Sequence, residues 1–262
     1  MPDPLLMERH SDGVAVLTLN EPDRRNAMTA ELTSAWKSAI ADLAVDRGLR
    51  AVVVAASGSA FCAGGDLSWI EGDGSPTSPD ALRDKMLPFY RTWLSIRELE
   101  VPTIAAVNGP AIGAGLCLAL ACDLRFAAAD AAFSAPFTML GIHPGMAATF
   151  LMPEVMGMAM TRDLLFTGRR LSAEEALACG LVTRILPSET LVADAVDIAR
   201  TVASGAPVAV RLTKAGLALG VRSFDEVMAW EAIAQPVTMA TADLREGMRA
   251  RAERRKPVFT GE

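Results

Sequence analysis

The chain has 262 residues, 51% hydrophobic and 21% charged, enough for one large domain, or one domain with an appendage, around a sizeable core. A net charge of −6 and a pI of about 5.1 argue against nucleic acid or an anionic membrane as the main partner. "MPDPLLMERH" lacks the basic and apolar regions of a secretory signal. Cys62, Cys117, Cys122 and Cys179 form neither CxxC pairs nor a disulfide framework. They read as reduced, buried thiols of a cytoplasmic protein.

Val14–Asn20 and Ala51–Ala56 read as strands, the second buried on both faces. Between them Thr29–Val45 has helical spacing, with Leu32, Trp36, Ile40 and Leu43 on one face. Gly72–Pro79, "GDGSPTSP", reads as a soft loop, followed by a helix from about Asp80 to Leu99 that stops before Pro102. Thr103–Val107 is a third strand, and "NGP" turns it into "AIGAGLCLALACD", an apolar helix. Leu124–Ala128 and Ala132–Ser134 are short strands around a turn at Asp130. Ser172 and Glu175 form a capping box, Gly180 ends that helix, and Val182–Leu186 is the last strand. From Leu191 onward the chain reads as helix, broken at Pro207 and Gly220. This order predicts an α/β core over residues 1–190 and a helical region over 191–262.

Two strand-to-helix junctions are rich in small residues: "GSAFCAGGDL" after Ala51–Ala56, with a helical turn expected after Asp66, and "GPAIGAG" after Thr103–Val107. A helix start carries unpaired N–H groups and the positive end of a dipole. No Asp or Glu lies between Gly109 and Cys122, so the second junction offers dipoles without charge. Two such junctions converging on one atom would supply the pair of donors that acyl-transfer or enolate chemistry needs. The plainer alternative is a pair of tight structural turns. A nucleotide site fits less well, because GxxxxGK[ST] is absent and "GPAIGAG" is not GxGxxG. A serine hydrolase is excluded by the missing GxSxG elbow.

"FCAGGDL" followed by "AAVNGPAIGAGLCLALACDLRFAA" resembles the enoyl-CoA hydratase/isomerase, or crotonase, superfamily. "EPDRRNAM", "LGIHPGMAATFLMPEVMG", "LLFTGRRLSAEEALACGLVTRILP" and "REGMRARAERRKPVFTG" extend the similarity over nearly the whole chain, in order. The resemblance implies a spiral of ββα turns with C-terminal helices that mediate trimer formation, often as dimers of trimers. It implies acyl-CoA or enoyl-CoA thioesters as substrates, with no separate cofactor and no metal. The thioester oxygen would accept from the N–H groups of Gly65 and Ala114. The backbone around Arg25–Ala27 and Ala63–Leu67 would hold the CoA adenine and pantetheine, with Asp66 as a structural cap. Lys256 with Arg255, beside Phe259, would reach a 3′-phosphate across a subunit boundary; the alternative is a solvated basic tail.

The chain departs from the family pattern where acids are needed. The two hydratase glutamates match Cys117 and, after Pro136, Phe137; the isomerase acid matches Gly145. A thiol with an ordinary pKa of about 8.5 is a poor replacement, and Phe137 is expected to line an acyl pocket with Met139 and Met146. His10 and His143 are the two histidines. His10 falls in an exposed N-terminal turn. His143, in "LGIHPGM", is a candidate for moving a proton at the α or γ carbon, set against a structural imidazole bonding its own loop. The sequence therefore predicts a cytoplasmic, trimeric or hexameric enzyme of this family with impaired hydration. The competing expectation is an acyl-CoA carrier that kept the pocket and lost the acids.

Overall fold

The computed structural model describes residues 2–66, 78–218, 220 and 223–262. Its frame is a six-stranded sheet of β1 (Leu5–Arg9), β2 (Val14–Leu19), β3 (Ala51–Ala56), β4 (Thr103–Val107), β6 (Leu124–Ala128) and β9 (Arg184–Leu186), in that spatial order. β1 pairs antiparallel with β2 and every other pairing is parallel. A smaller sheet joins β5 (Ala111–Ile112), β7 (Ala132–Ser134) and β8 (Arg170–Ser172). Because strand side chains alternate, β2 and β3 feed two cores. Leu17, Leu19, Val52 and Val54 join the larger one. Val14, Val16, Ala51 and Val53 join the smaller. Ala51–Ala56 is buried throughout, as its unbroken apolar run predicts.

α1 (Ala30–Ala44) begins where the Thr29 side chain accepts from the Leu32 N–H. Leu32, Trp36, Ile40 and Leu43 are its buried face, as expected. Trp36 stacks on Trp93 of α2 (Pro79–Leu94), with ring centroids 5.1 Å apart. The Trp93 indole N–H donates to Thr33 Oγ1 at 3.1 Å. This contact fixes α2 against the core, which matters because α2 forms one wall of the site. α3 (Ala114–Ala121) is buried along its whole length.

Three expectations need correction. The helix anticipated from Asp80 to Leu99 ends at Leu94, and a 3₁₀ turn over Ser95–Glu98 completes the span. The last strand starts at Arg184, two residues late, because the Val182 N–H bonds to Ala176 O and the Thr183 N–H to Arg125 O. The helical run from Leu191 does break at Pro207, which opens α7 (Pro207–Ala218), since the first turn has no use for its missing N–H. His10 is half-buried beside Glu8, not exposed. The capping box at Ser172 and Glu175 is present and opens α5 (Ala173–Ala178). The expected loop Gly72–Pro79 falls almost wholly outside the described residues, as does the turn after Asp66.

α4 (Ala148–Thr167) lies between β7 and β8 of the smaller sheet in the chain. In the C-terminal part, α6 (Leu191–Ala203) packs Leu191, Ala195, Val196 and Ala199 onto the smaller core. α8 (Phe224–Met239) and α9 (Ala242–Glu253) follow, and α8 has no buried residue. No helix among the described residues is long and apolar enough to cross a membrane. The tail is clamped to α9. The buried Asp243 carboxylate accepts from the Thr260 and Gly261 N–H groups, and Glu246 holds Arg255 in a two-point ion pair at 2.5 and 2.9 Å.

Candidate active site

The two small-residue junctions lie against each other. The Phe61 and Cys62 N–H groups donate to Pro110 O, and the Ile112 N–H donates to Cys62 O at 3.0 Å. Contact is so close that a Cβ on Gly115 would sit 2.2 Å from Cys62 O, which explains the second glycine of "GAG". Gly64 adopts φ +100°, and a Cβ there would lie 2.8 Å from Ile112 O. Each junction therefore needs glycine because the other is present.

A third segment locks the pair. Arg25 and Asn26 both hold left-handed backbone, with φ of 52° and 54°, a conformation that costs energy and persists only where surroundings enforce it. Asn26 is fully buried. Its amide donates to Ser57 O and Ala60 O at 2.9 Å each and accepts from the Glu21 N–H. The Ala63 N–H donates to Arg25 O and the Met28 N–H to Gly64 O. Arg25, Ala27, Ala63, Gly65 and Asp66, which the sequence assigned to one ligand-binding stretch, are thereby brought together. Asp66 pairs with Arg24 at 2.7 Å. Leu67, assigned with them, lies outside the described residues.

Where the junctions meet, a cavity of about 180 Å³ opens. Ala63, Gly64, Gly65, Ile112, Gly113 and Ala114 form its backbone-rich end. Met86, Phe89, Tyr90, Pro136, Phe137, Leu140, Ile142, His143 and Gly145 enclose the remainder. Among the described residues, neither the Gly65 nor the Ala114 N–H donates to any acceptor. Ala114 is the first residue of α3, where the helix leaves its N–H groups free. Two uncommitted donors at one end of an apolar cavity can hold a single oxygen that gains negative charge. A larger hollow, about 610 Å³ between α7 and α8, is lined by helix flanks whose backbone groups are already bonded within the helices.

The three positions matching family acids surround this space. Phe137 and Gly145 line it, and Cys117 lies one turn into α3, its thiol 3.8 Å from Gly145 O. Burial pushes the Cys117 thiol up to about 12, and the neighbouring Cys62 adds to the effect, so at neutral pH it is neither base nor nucleophile. Among the described residues, no carboxylate lines the cavity. His143 does, on the loop that enters α4 through two left-handed residues, Met146 and Ala147. Met139, expected in the pocket, is 61% exposed: the 3₁₀ turn over Thr138–Leu140 turns it outward, and Leu140 and Ile142 take its place. Met146 is buried without lining the cavity.

Sequence reading missed the wall contributed by α2. Met86, Phe89, Tyr90 and Trp93 carry helical spacing, and the chain's one tyrosine was the available signal. A groove of about 700 Å³ beside the cavity shares Phe89 with it and carries Arg24, Lys37 and Lys85 together with Glu31 and Asp66. Lys256 and Phe259 lie away from the cavity on the clamped tail, where Phe259 faces Gly247. Arg255, named with Lys256, is committed to Glu246 and Glu253.

Fold and site together define a protein of the crotonase class. The sequence model of the enoyl-CoA hydratase/isomerase family matches residues 9–262. A Mycobacterium tuberculosis protein named "Probable enoyl-CoA hydratase EchA12" is 38% identical over 270 residues, spanning 98% of this chain and 92% of its own. The crystal structure of an enoyl-CoA hydratase from Bacillus anthracis superposes with a TM-score of 0.92 at 32% identity, covering 99% of this chain and 100% of that one. An enoyl-CoA hydratase structure from Mycobacterium smegmatis gives 0.88 at 32% identity, with 98% of each chain covered. This chain belongs to the enoyl-CoA hydratase/isomerase family.

Proposed function

We propose that the protein is an acyl-CoA-handling enzyme in which the N–H groups of Gly65 and Ala114 donate to the thioester oxygen and stabilise an enolate. The observation that carries this is the pair of uncommitted N–H groups lining one apolar cavity. At about 180 Å³ the cavity is smaller than the roughly 300–1,000 Å³ typical of whole-ligand pockets. It takes the acyl end alone, and the CoA portion runs along Arg25, Ala27, Ala63 and Asp66 toward the groove that shares Phe89. The thioester is the substrate, and neither a metal nor a separate cofactor enters the reading.

Among the described residues the same cavity has no carboxylate to activate water, so hydration is slow. His143 is the group that moves a proton at the α or γ carbon. A carrier without turnover is the second reading, favoured by that lack of acids in the cavity wall. Incubation with enoyl-CoA thioesters in D₂O, followed by mass spectrometry, separates them. The enzyme incorporates deuterium with little net hydration and loses this in His143→Ala; the carrier binds and incorporates none. Brisk crotonyl-CoA hydration unaffected by His143→Ala would overturn the account of the acids.

The assembly follows from exposed apolar surface. Phe224 is 77% and Ile233 67% exposed on α8, with Phe150 and Phe166 on α4 also bare. Surfaces of this kind are covered by neighbours, and the protein forms a trimer or a dimer of trimers through its C-terminal helices. Lys256 and Phe259 then serve the CoA bound by an adjacent subunit. A monomer by light scattering at micromolar concentration would contradict this.

A further inference from the structure

Tyr90 stands at the cavity wall beside the position where the family pattern calls for an acid. Its hydroxyl lies so close to Gly145 that a Cβ there would be 2.4 Å from the oxygen and 3.0 Å from the ring carbon bearing it. A side chain at residue 145 and this hydroxyl are therefore alternatives for one volume. The glycine makes room for the phenol.

The hydroxyl makes no hydrogen bond to any described residue, although it faces a wall built from Phe89, Phe137, Leu140 and Ile142. The phenol is half-buried, and its hydrogen-bonding capacity is left for whatever occupies the cavity. Burial, with the Cys117 thiol nearby, raises the phenol above its ordinary value, so it stays protonated and donates throughout the neutral range. Its position is rigid. Phe89 and Trp93 flank it on α2, and Trp93 is stacked and hydrogen-bonded into the core.

We propose that Tyr90 is a specificity-determining residue whose hydroxyl donates a hydrogen bond to an oxygen carried by the acyl group, so that the site prefers oxygen-bearing short acyl thioesters to plain hydrocarbon ones. The inference rests on the acyl-CoA reading above and names the substrate class that reading leaves open. A site that hydrogen-bonds a substrate oxygen discriminates against the analogue lacking it, because its own polar group is then left unpaired.

The test compares butyryl-CoA with 3-hydroxybutyryl-CoA by isothermal titration calorimetry, on the full chain and two variants. Wild type should bind the hydroxylated thioester up to about tenfold more tightly, the upper size of one net hydrogen bond. Tyr90→Phe should bring the two affinities within about twofold by weakening only the hydroxylated ligand. Gly145→Ala, which forces the hydroxyl away, should do the same. Equal binding of both thioesters by wild type, or an equal loss for both in Tyr90→Phe, would overturn the role of Tyr90 while leaving the acyl-CoA reading intact. Failure of wild type to bind either thioester would overturn both.

Discussion

The two ends of the cavity are built from different material. At one end Gly65 and Ala114 offer main-chain N–H groups held by three interlocked loops, with Asn26 tying the Arg25–Ala27 turn to Ser57 and Ala60. At the other end Phe137, Tyr90, His143 and the bare Gly145 present whatever side chains the sequence supplies. Side-chain substitution leaves the donors at the first end intact and rewrites the chemistry of the second. On the proposed reading, a chain can thus keep the means to polarise a thioester while the side chains at Cys117, Phe137 and Gly145 change.

The strongest way to break this contrast is to delete a donor at the main-chain end. Gly65→Pro removes one N–H and should lower any turnover that polarises the thioester by about 10²–10³, the usual cost of losing an oxyanion donor. Ala114→Pro sharpens the test, because a helix accepts proline at its first residue and Ala114 holds that position. Circular dichroism must show both variants folded, and a folded variant with unchanged turnover would remove the main-chain end from the chemistry.

At the side-chain end, His143→Ala should reduce deuterium incorporation by about 10²–10⁴, the range for general acid–base help, while acyl-CoA affinity changes little. A His143→Ala protein that exchanges as fast as wild type would assign the proton to another group. The thiols give a smaller contrast. Cys62, Cys117 and Cys122 are each pushed up to about 12 by burial, so iodoacetamide at neutral pH should label them only on unfolding. Fast labelling of the folded protein, mapped by peptide mass, would show the wall beside α3 to be open.

The smallest effect concerns the tail that carries Lys256 and Phe259. Glu246 is held down to about 2 by its hydrogen bonds to Arg255 and to the Val258 N–H. A carboxylate depressed in the folded state stabilises fully above its ordinary value, here 4.5, and that stabilisation is lost as pH falls toward the folded value. The protection of the Val258 amide against hydrogen exchange, relative to the intrinsic rate at each pH, should therefore fall between pH 4.5 and 2. In Glu246→Gln it should be low at every pH. Protection that persists in the variant would show that Asp243 alone anchors the tail.

How much the sequence revealed followed the same division. β4, β6 and β7 carry compact apolar runs between turn residues, and their boundaries were read correctly from these. β1 escaped because "LLMER" is an edge strand with most residues exposed and no alternation to betray it. β5 and β8 are two and three residues long, and tertiary pairing alone makes them strands. α4 is apolar on several sides and interrupted by Pro153 and by Gly157 at φ 73°, so neither a helical stripe nor an uninterrupted run marked it. The glycine-rich end was visible because close backbone contact demands glycine and leaves a motif. Tyr90 left none, since its importance comes from facing Gly145 across the fold.

The central claim is that two main-chain N–H groups hold the thioester oxygen, and isotope-edited infrared spectroscopy tests it most directly. Crotonyl-CoA labelled with ¹³C at the thioester carbon should show, on binding wild type, a carbonyl band shifted to lower frequency than in water, reflecting polarisation by the two donors. In Ala114→Pro the bound band should move back toward the free position. A bound carbonyl at the same frequency in wild type and Ala114→Pro would contradict the account.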